Sequence, residues 1–175
     1  MADEPITADE ICQILQLKPL PIEGGMFRQS YRSLETMSDG RPAGTGIYAL
    51  FTDEPDSFSA MHRLDADELW HFYLGDPLEI VMLNRDGSHN ATTLGHDIRA
   101  GHVAQLVVPQ QTWVGAKLAS GGCYALIGCT MSPGFQSGGY EGGEQRALCD
   151  LYPAAASWIV ALTRPGSELG QPPEA

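Results

Sequence analysis

Between positions 46 and 131 the chain divides into eight short runs that favour β structure, at 46–52, 57–62, 68–74, 78–84, 91–94, 105–108, 112–118 and 123–131. Turn chemistry separates them, at 53–56, 75–77, Asp86-Gly87, Ala100-Gly101, Pro109 and Gly121-Gly122. No stretch of useful helical length interrupts the series. Parallel neighbours in a sheet need a crossover of about a dozen residues, usually a helix. The spacing therefore disfavours a parallel α/β sheet and points to antiparallel strands in a sandwich or barrel. With 20 Gly and 12 Pro in 175 residues, a helical bundle is equally disfavoured.

Helices are expected only at the two ends. Thr7 and Glu10 have capping-box spacing, and Ile11, Ile14 and Leu15 recur at helical intervals up to Leu17. Pro19, Pro21, Gly24 and Gly25 stop that helix, and 26–33 resumes as a ninth extended segment. After Pro133-Gly134-Phe135, the Gly-rich stretch 137–143 reads as an ordinary loop, because it has neither Walker spacing nor the lysine that reaches a phosphate. Helical stretches at 144–151 and 154–163, split by Pro153, and a loose tail at 164–175 complete the chain. The whole, 1–175, is read as one domain with its barrel core at about 26–131.

Ten Lys and Arg stand against 22 Asp and Glu, a formal charge of −12. That balance repels phosphate backbones and anionic lipid, so neither nucleic acid nor a membrane surface is an expected partner. No apolar run approaches the ~18 residues of a membrane span, and positions 1–5 lack the basic and apolar parts of a secretory signal. Cys12, Cys123, Cys129 and Cys149 form no CxxC pair and suggest no disulfide framework. The expectation is a soluble cytoplasmic protein with reduced thiols.

The stretch 57–75, SFSAMHRLDADELWHFYLG, holds His62, Glu68 and His71 within ten positions. Trp70, Phe72 and Tyr73 favour a strand, in which an offset of three sends Glu68 and His71 to opposite faces. They are not expected to share an ion. His62 and Glu68 converge if 63–67 turns between two strands, but two protein ligands fall short of a tight metal site. By the same alternation Trp70 and Phe72 accompany Glu68 inward. Gln105 is polar in an otherwise apolar run and needs a partner, either a ligand or neighbouring backbone. Arg28, Arg32 and Arg63 are the cations to weigh as phosphate or carboxylate forks, against plain surface ion pairs. Cys123 and Cys129 share strand parity and read as small packed hydrophobes. There is no GxSxG elbow.

Three motifs stand in order: Glu23-Gly24-Gly25 after Pro21, Asp67-Glu68-Leu69-Trp70-His71, and Pro133-Gly134-Phe135. Between them lie Tyr73-x-Gly75-x-Pro77-Leu78 and a segment from Val108-Pro109 to Trp113. In these features, from about Leu17 to Leu162, the chain resembles the cupins, and among them a family of small single-domain cupins of poorly defined function. The resemblance implies an all-β double-stranded β-helix, or jelly-roll barrel, usually a homodimer, with a small-ligand pocket inside the barrel mouth. Metal-binding cupins take two His and a Glu from the first motif and a third His after a Pro-containing turn. Here His62, Glu68 and Gly75 match, whereas the second His position falls near Leu64 and 109–114 contains no His. No metal or other cofactor is therefore expected, and any ion at His62 and Glu68 would be weak or adventitious.

What remains is similar to the metal-free dTDP-sugar epimerases of the same superfamily, which implies His62 as general base with Glu68 orienting it. The bland alternative is a core His satisfied by Glu68. Trp113, after the second-motif turn, is a candidate wall for the pocket. Tyr31 or Tyr124 is the candidate acid, and Arg28 completes the expected ligand set with Tyr31, Trp70, Phe72, Gln105 and Trp113. Two functions lead: a metal-independent isomerase or epimerase of a sugar-like carbonyl compound, and a non-catalytic module for a small polar ligand. A weak-metal cupin enzyme is the third.

Overall fold

The computed structural model describes residues 5–166, 170 and 172. The chain opens with helix α1, Ala8–Leu15. The Thr7 hydroxyl accepts from the Glu10 backbone, and the Glu10 carboxylate accepts from the Thr7 backbone, so the expected capping box is present. Gln16 ends the helix in the left-handed conformation. Ile11 and Leu17 pack α1 onto Leu50 and Leu126.

Among the described residues eleven strands follow: β1 Lys18–Pro19, β2 Met26–Arg32, β3 Thr45–Thr52, β4 Phe58–Leu64, β5 Glu68–Gly75, β6 Leu78–Leu83, β7 His89–Leu94, β8 Gln105–Val108, β9 Trp113–Leu118, β10 Tyr124–Met131 and β11 Tyr140–Gly142. They form a six-stranded sheet, β1-β2-β3-β10-β5-β8, and a five-stranded sheet, β11-β4-β9-β6-β7. Every strand pairing is antiparallel. The strands predicted from turn spacing are all present, with no end shifted by more than two residues. Two were not foreseen. The first, β1, has only two residues, and the second, β11, arises inside the Gly-rich stretch read as a loop, because it is held by long-range pairing to β4 through Tyr140↔Leu64 and Gly142↔His62.

Alternation within each strand builds two apolar layers. Inward residues of both sheets, among them Phe51, Trp70, Leu78, Ile80, Val114 and Ile127, fill the barrel. The opposite face of the five-stranded sheet carries Met61, Val81, Leu83 and Trp113, and the C-terminal helices α2 (Gln145–Leu151) and α3 (Ala156–Ala161) cover it with Leu148, Ile159 and Leu162. Each such buried side chain stabilises the fold by about 1.5–3 kcal/mol. The segment expected to be a loose tail is anchored where it is described. Arg164 donates to the backbone carbonyls of Asp56 and Phe58, and Pro172 is buried against the barrel cavity. The rest of that expectation, at 167–169, 171 and 173–175, lies outside the described residues. No helix among the described residues is long and apolar enough to cross a membrane.

Candidate functional site

A cavity opens between the two sheets. Glu68, the first residue of β5, points into it, as does Trp70 two positions on. Facing them across the barrel is β4, whose pairing with β9 shifts register between Ser59 and His62. That irregularity turns both Ser59 and His62 inward while Met61 packs under the helices. The third contributor is Glu23, in the tight turn before β2. Gly24 (φ +104°) and Gly25 (φ +69°) adopt conformations that side-chain-bearing residues rarely reach, and a Cβ on Gly24 would overlap the Phe58 carbonyl. Ala60 N–H donates to the Glu23 carbonyl at 2.7 Å, pinning the turn to β4.

These elements bring one imidazole and two carboxylates together. His62 Nε2 lies 3.7 Å from Glu23 Oε1 and 3.7 Å from Glu68 Oε2, at ion-pair rather than hydrogen-bond range. The other ring nitrogen, Nδ1, is 2.8 Å from the Ala60 carbonyl and so carries a proton donated to it. The Ser59 hydroxyl donates to Glu23 Oε1 at 3.5 Å, and the Cys129 thiol donates to Glu68 Oε1 at 3.1 Å. Tyr140 of β11 stacks on the imidazole, with ring centroids 5.4 Å apart and planes 14° from parallel. Its hydroxyl and the Trp70 indole N–H are buried without a hydrogen-bond partner among the described residues.

Burial opposes a charged ring, yet the Glu23 carboxylate, then Glu68, then the Ala60 carbonyl outweigh it and raise His62 from 6.5 to about 9. The imidazole is consequently protonated at neutral pH. Glu23 is raised above its ordinary value, first by burial and then by the neighbouring Glu68 charge, with His62 partly compensating. Burial, and then the adjacent Glu68, push the Cys129 thiol well up, so it is a weak donor and no nucleophile.

His62, Glu68 and Trp70 thus gather at the cavity, with His62 just behind the wall that Glu23 and Glu68 form. The other expected ligand residues lie elsewhere. Phe72 points inward but sits further along the barrel against the His96 ring. Gln105 faces out and hydrogen-bonds His71, so its partner is neither ligand nor backbone. Trp113 has the opposite parity to the inward Val114 and lies under the C-terminal helices, with Arg63 over its ring at 4.7 Å. Arg28 is on the outer face over Tyr48, and Tyr31 is 55% exposed. Tyr124 packs near α1, so neither candidate tyrosine acid approaches His62; Tyr140 does. Cys123 is exposed rather than packed. Sequence reasoning missed Glu23, Ser59 and Tyr140. Of these only Glu23 carried a signal, as the acidic member of Glu23-Gly24-Gly25.

Comparison with known proteins agrees with this architecture. A Shewanella oneidensis protein of known structure is 34% identical, covers 91% of this chain and 99% of its own, and superposes with a TM-score of 0.85. A hypothetical protein from Leishmania major is 32% identical over 90% of this chain and 99% of its own, at 0.82. A dTDP sugar isomerase from Desulfovibrio desulfuricans shares the fold at 20% identity, 77% and 91% coverage and a TM-score of 0.51. No curated protein matches the chain. With a family model matched over residues 9–142 and two such relatives along almost its whole length, the chain belongs to the Cupin superfamily (DUF985).

Proposed function

We propose that the protein binds a small molecule in the barrel cavity and moves a proton on the carbon beside a carbonyl, as a metal-independent isomerase or epimerase. The observation that supports this most is the pair of cavity-wall carboxylates, Glu23 and Glu68, each 3.7 Å from one buried imidazole nitrogen. The likeness of fold to a dTDP sugar isomerase is in keeping with it. The role of the ring differs from the sequence expectation. A histidine raised to about 9 already holds its second proton at neutral pH, so it does not serve as the base. With Nδ1–H engaged by Ala60, Nε2–H faces both carboxylates and His62 acts as a positioning residue and proton relay between them. Glu68 is placed to take a proton from carbon, and the His62 Nε2–H, shared with Glu23, to return one. The unpartnered Trp70 N–H offers a donor to the carbonyl oxygen as negative charge builds there.

The ligands of a metal-binding cupin do not fit this barrel. Leu64 fills the second His position on the cavity wall, and Gln111, from the turn that would bring the third, donates its side-chain amide to the Leu64 carbonyl at 3.3 Å. Among the described residues no group of three or more His, Cys, Asp or Glu is arranged to hold an ion. The reading includes a homodimer through the outer face of the six-stranded sheet, where Tyr73 and Val107 are each 49% exposed beside His71 and Gln105. Acidic composition and free cysteines support a cytoplasmic setting.

The test is solvent exchange in heavy water across a panel of ketones and hydroxyketones. The protein should place deuterium on the carbon beside the carbonyl, and Glu68→Gln should slow this by roughly 10²-fold to 10⁴-fold. No exchange across the panel, or exchange untouched in both Glu23→Gln and Glu68→Gln, refutes the reading and leaves a non-catalytic binding module.

A further inference from the structure

We infer that the cavity selects an uncharged ligand with an apolar, ring-bearing body and one oxygenated end, and rejects phosphorylated and nucleotide-linked sugars. The inference rests on the proposed proton-transfer reading only for where the oxygenated end sits, beside Glu23, Glu68 and Trp70.

The wall is apolar over most of its extent, with the rings of Phe27, Phe51, Trp70 and Phe135 among the residues that form it. Its polar members are few, and two of them are engaged. Thr45 Oγ1 accepts from the Phe135 backbone at 3.0 Å, and the Cys129 thiol is directed at Glu68. That leaves Gln29, the two carboxylates and the indole N–H to meet a ligand. A sugar ring would bury several hydroxyls against carbon, each one unpaired at a cost, whereas a hydrocarbon or aromatic ring loses nothing there. The oxygenated end has matching groups: a hydroxyl donates to a carboxylate, and a carbonyl accepts from Trp70.

Charge argues more strongly. Among the described residues no Lys or Arg lines the cavity. Several cations around it are committed elsewhere: Arg41 to Asp39 and Asp65, Arg63 to Glu141, and Arg164 to the carbonyls of Asp56 and Phe58. Arg28, which neighbours the wall residues Phe27 and Gln29, points to the other face of β2 over Tyr48. A phosphate entering the barrel would confront two carboxylates with only the imidazolium of His62 in compensation, and that ring is already shared by both. Sharing a fold with a sugar-nucleotide enzyme carries no such charge with it.

The experiment is calorimetric titration of the full chain with four probes: 2-hydroxy-1-phenylethanone, dihydroxyacetone, dihydroxyacetone phosphate and dTDP. The phenyl ketone should bind at least about tenfold more tightly than each of the others, a difference of ~1.4 kcal/mol. Phe51→Ala should weaken it, and Gln29→Lys, which adds a cation to the wall, should improve dihydroxyacetone phosphate selectively. Binding of dTDP or the phosphate as tightly as the phenyl ketone overturns the inference, as does failure of the phenyl ketone to bind. A wild-type protein that binds the phenyl ketone and exchanges no ketone overturns the proton-transfer reading alone.

Discussion

Replacing His62 with Gln should make the stability of this protein lose much of its dependence on pH between 6 and 10. In the fold the imidazole titrates at about 9 rather than 6.5, because Glu23 and Glu68 outweigh its burial. At about 1.4 kcal/mol per pKa unit, that rise corresponds to about 3 kcal/mol favouring the folded state. The ring is 1% exposed, so solvent screening takes little from it. Because the folded value is the higher one, the contribution is complete below pH 6.5, shrinks as pH climbs, and is gone once pH passes about 9. Near pH 6 the variant is therefore expected to unfold about 3 kcal/mol more easily than wild type, leaving two carboxylates facing one another without a cation. By pH 10 the gap should close. Urea unfolding followed by circular dichroism at unit pH steps measures the gap, and NMR of the ring carbon-bound proton, assigned by its loss in the variant, measures the titration directly. A gap that stays constant with pH, or a His62 signal that titrates below pH 7, refutes the charge arrangement on which the proposed chemistry depends.

Three further outcomes follow from the same geometry. Gly24→Ala forces a Cβ into the Phe58 carbonyl at a φ of +104°, so it should cost at least about 2 kcal/mol, lower Tm by about 4–8 °C and displace Glu23 enough to abolish exchange. Light scattering at micromolar concentration should give a dimer burying more than about 1,000 Å², and Tyr73→Glu with Val107→Glu should give a monomer; a monomeric wild type refutes the interface. Elemental analysis of untagged protein should find iron, manganese, nickel and zinc well below stoichiometric, and a near-stoichiometric metal would overturn the metal-independent reading.

The barrel was legible because its information is local. Thr7 with Glu10 announces a helix start, turn residues announce strand ends, and alternation along 68–74 correctly turns Glu68 and Trp70 inward and His71 outward. The site was only half legible because it is assembled across distance. Glu23 arrives from a turn some forty positions before His62, and Tyr140 from a three-residue strand whose order comes from pairing to β4. Trp113 and Gln105 show the other failure. Alternation reveals which residues share a face but not which face closes on the barrel and which lies under helices or in solvent. In β4 even the alternation is interrupted, and the irregularity that aims both Ser59 and His62 inward has no counterpart in residue type.

The distribution of the three tryptophans gives the protein an optical reporter of its own. Trp113 and Trp158 sit in the layer between the five-stranded sheet and the C-terminal helices, under Arg63 and Lys117, where a molecule entering the barrel leaves their surroundings unchanged. Trp70 alone looks into the cavity, with its indole N–H unengaged. Filling the barrel should therefore shift or quench the emission of that one indole against a constant background from the other two. A compound library can be screened by intrinsic fluorescence without label or assumed reaction, and Trp70→Phe supplies the blank.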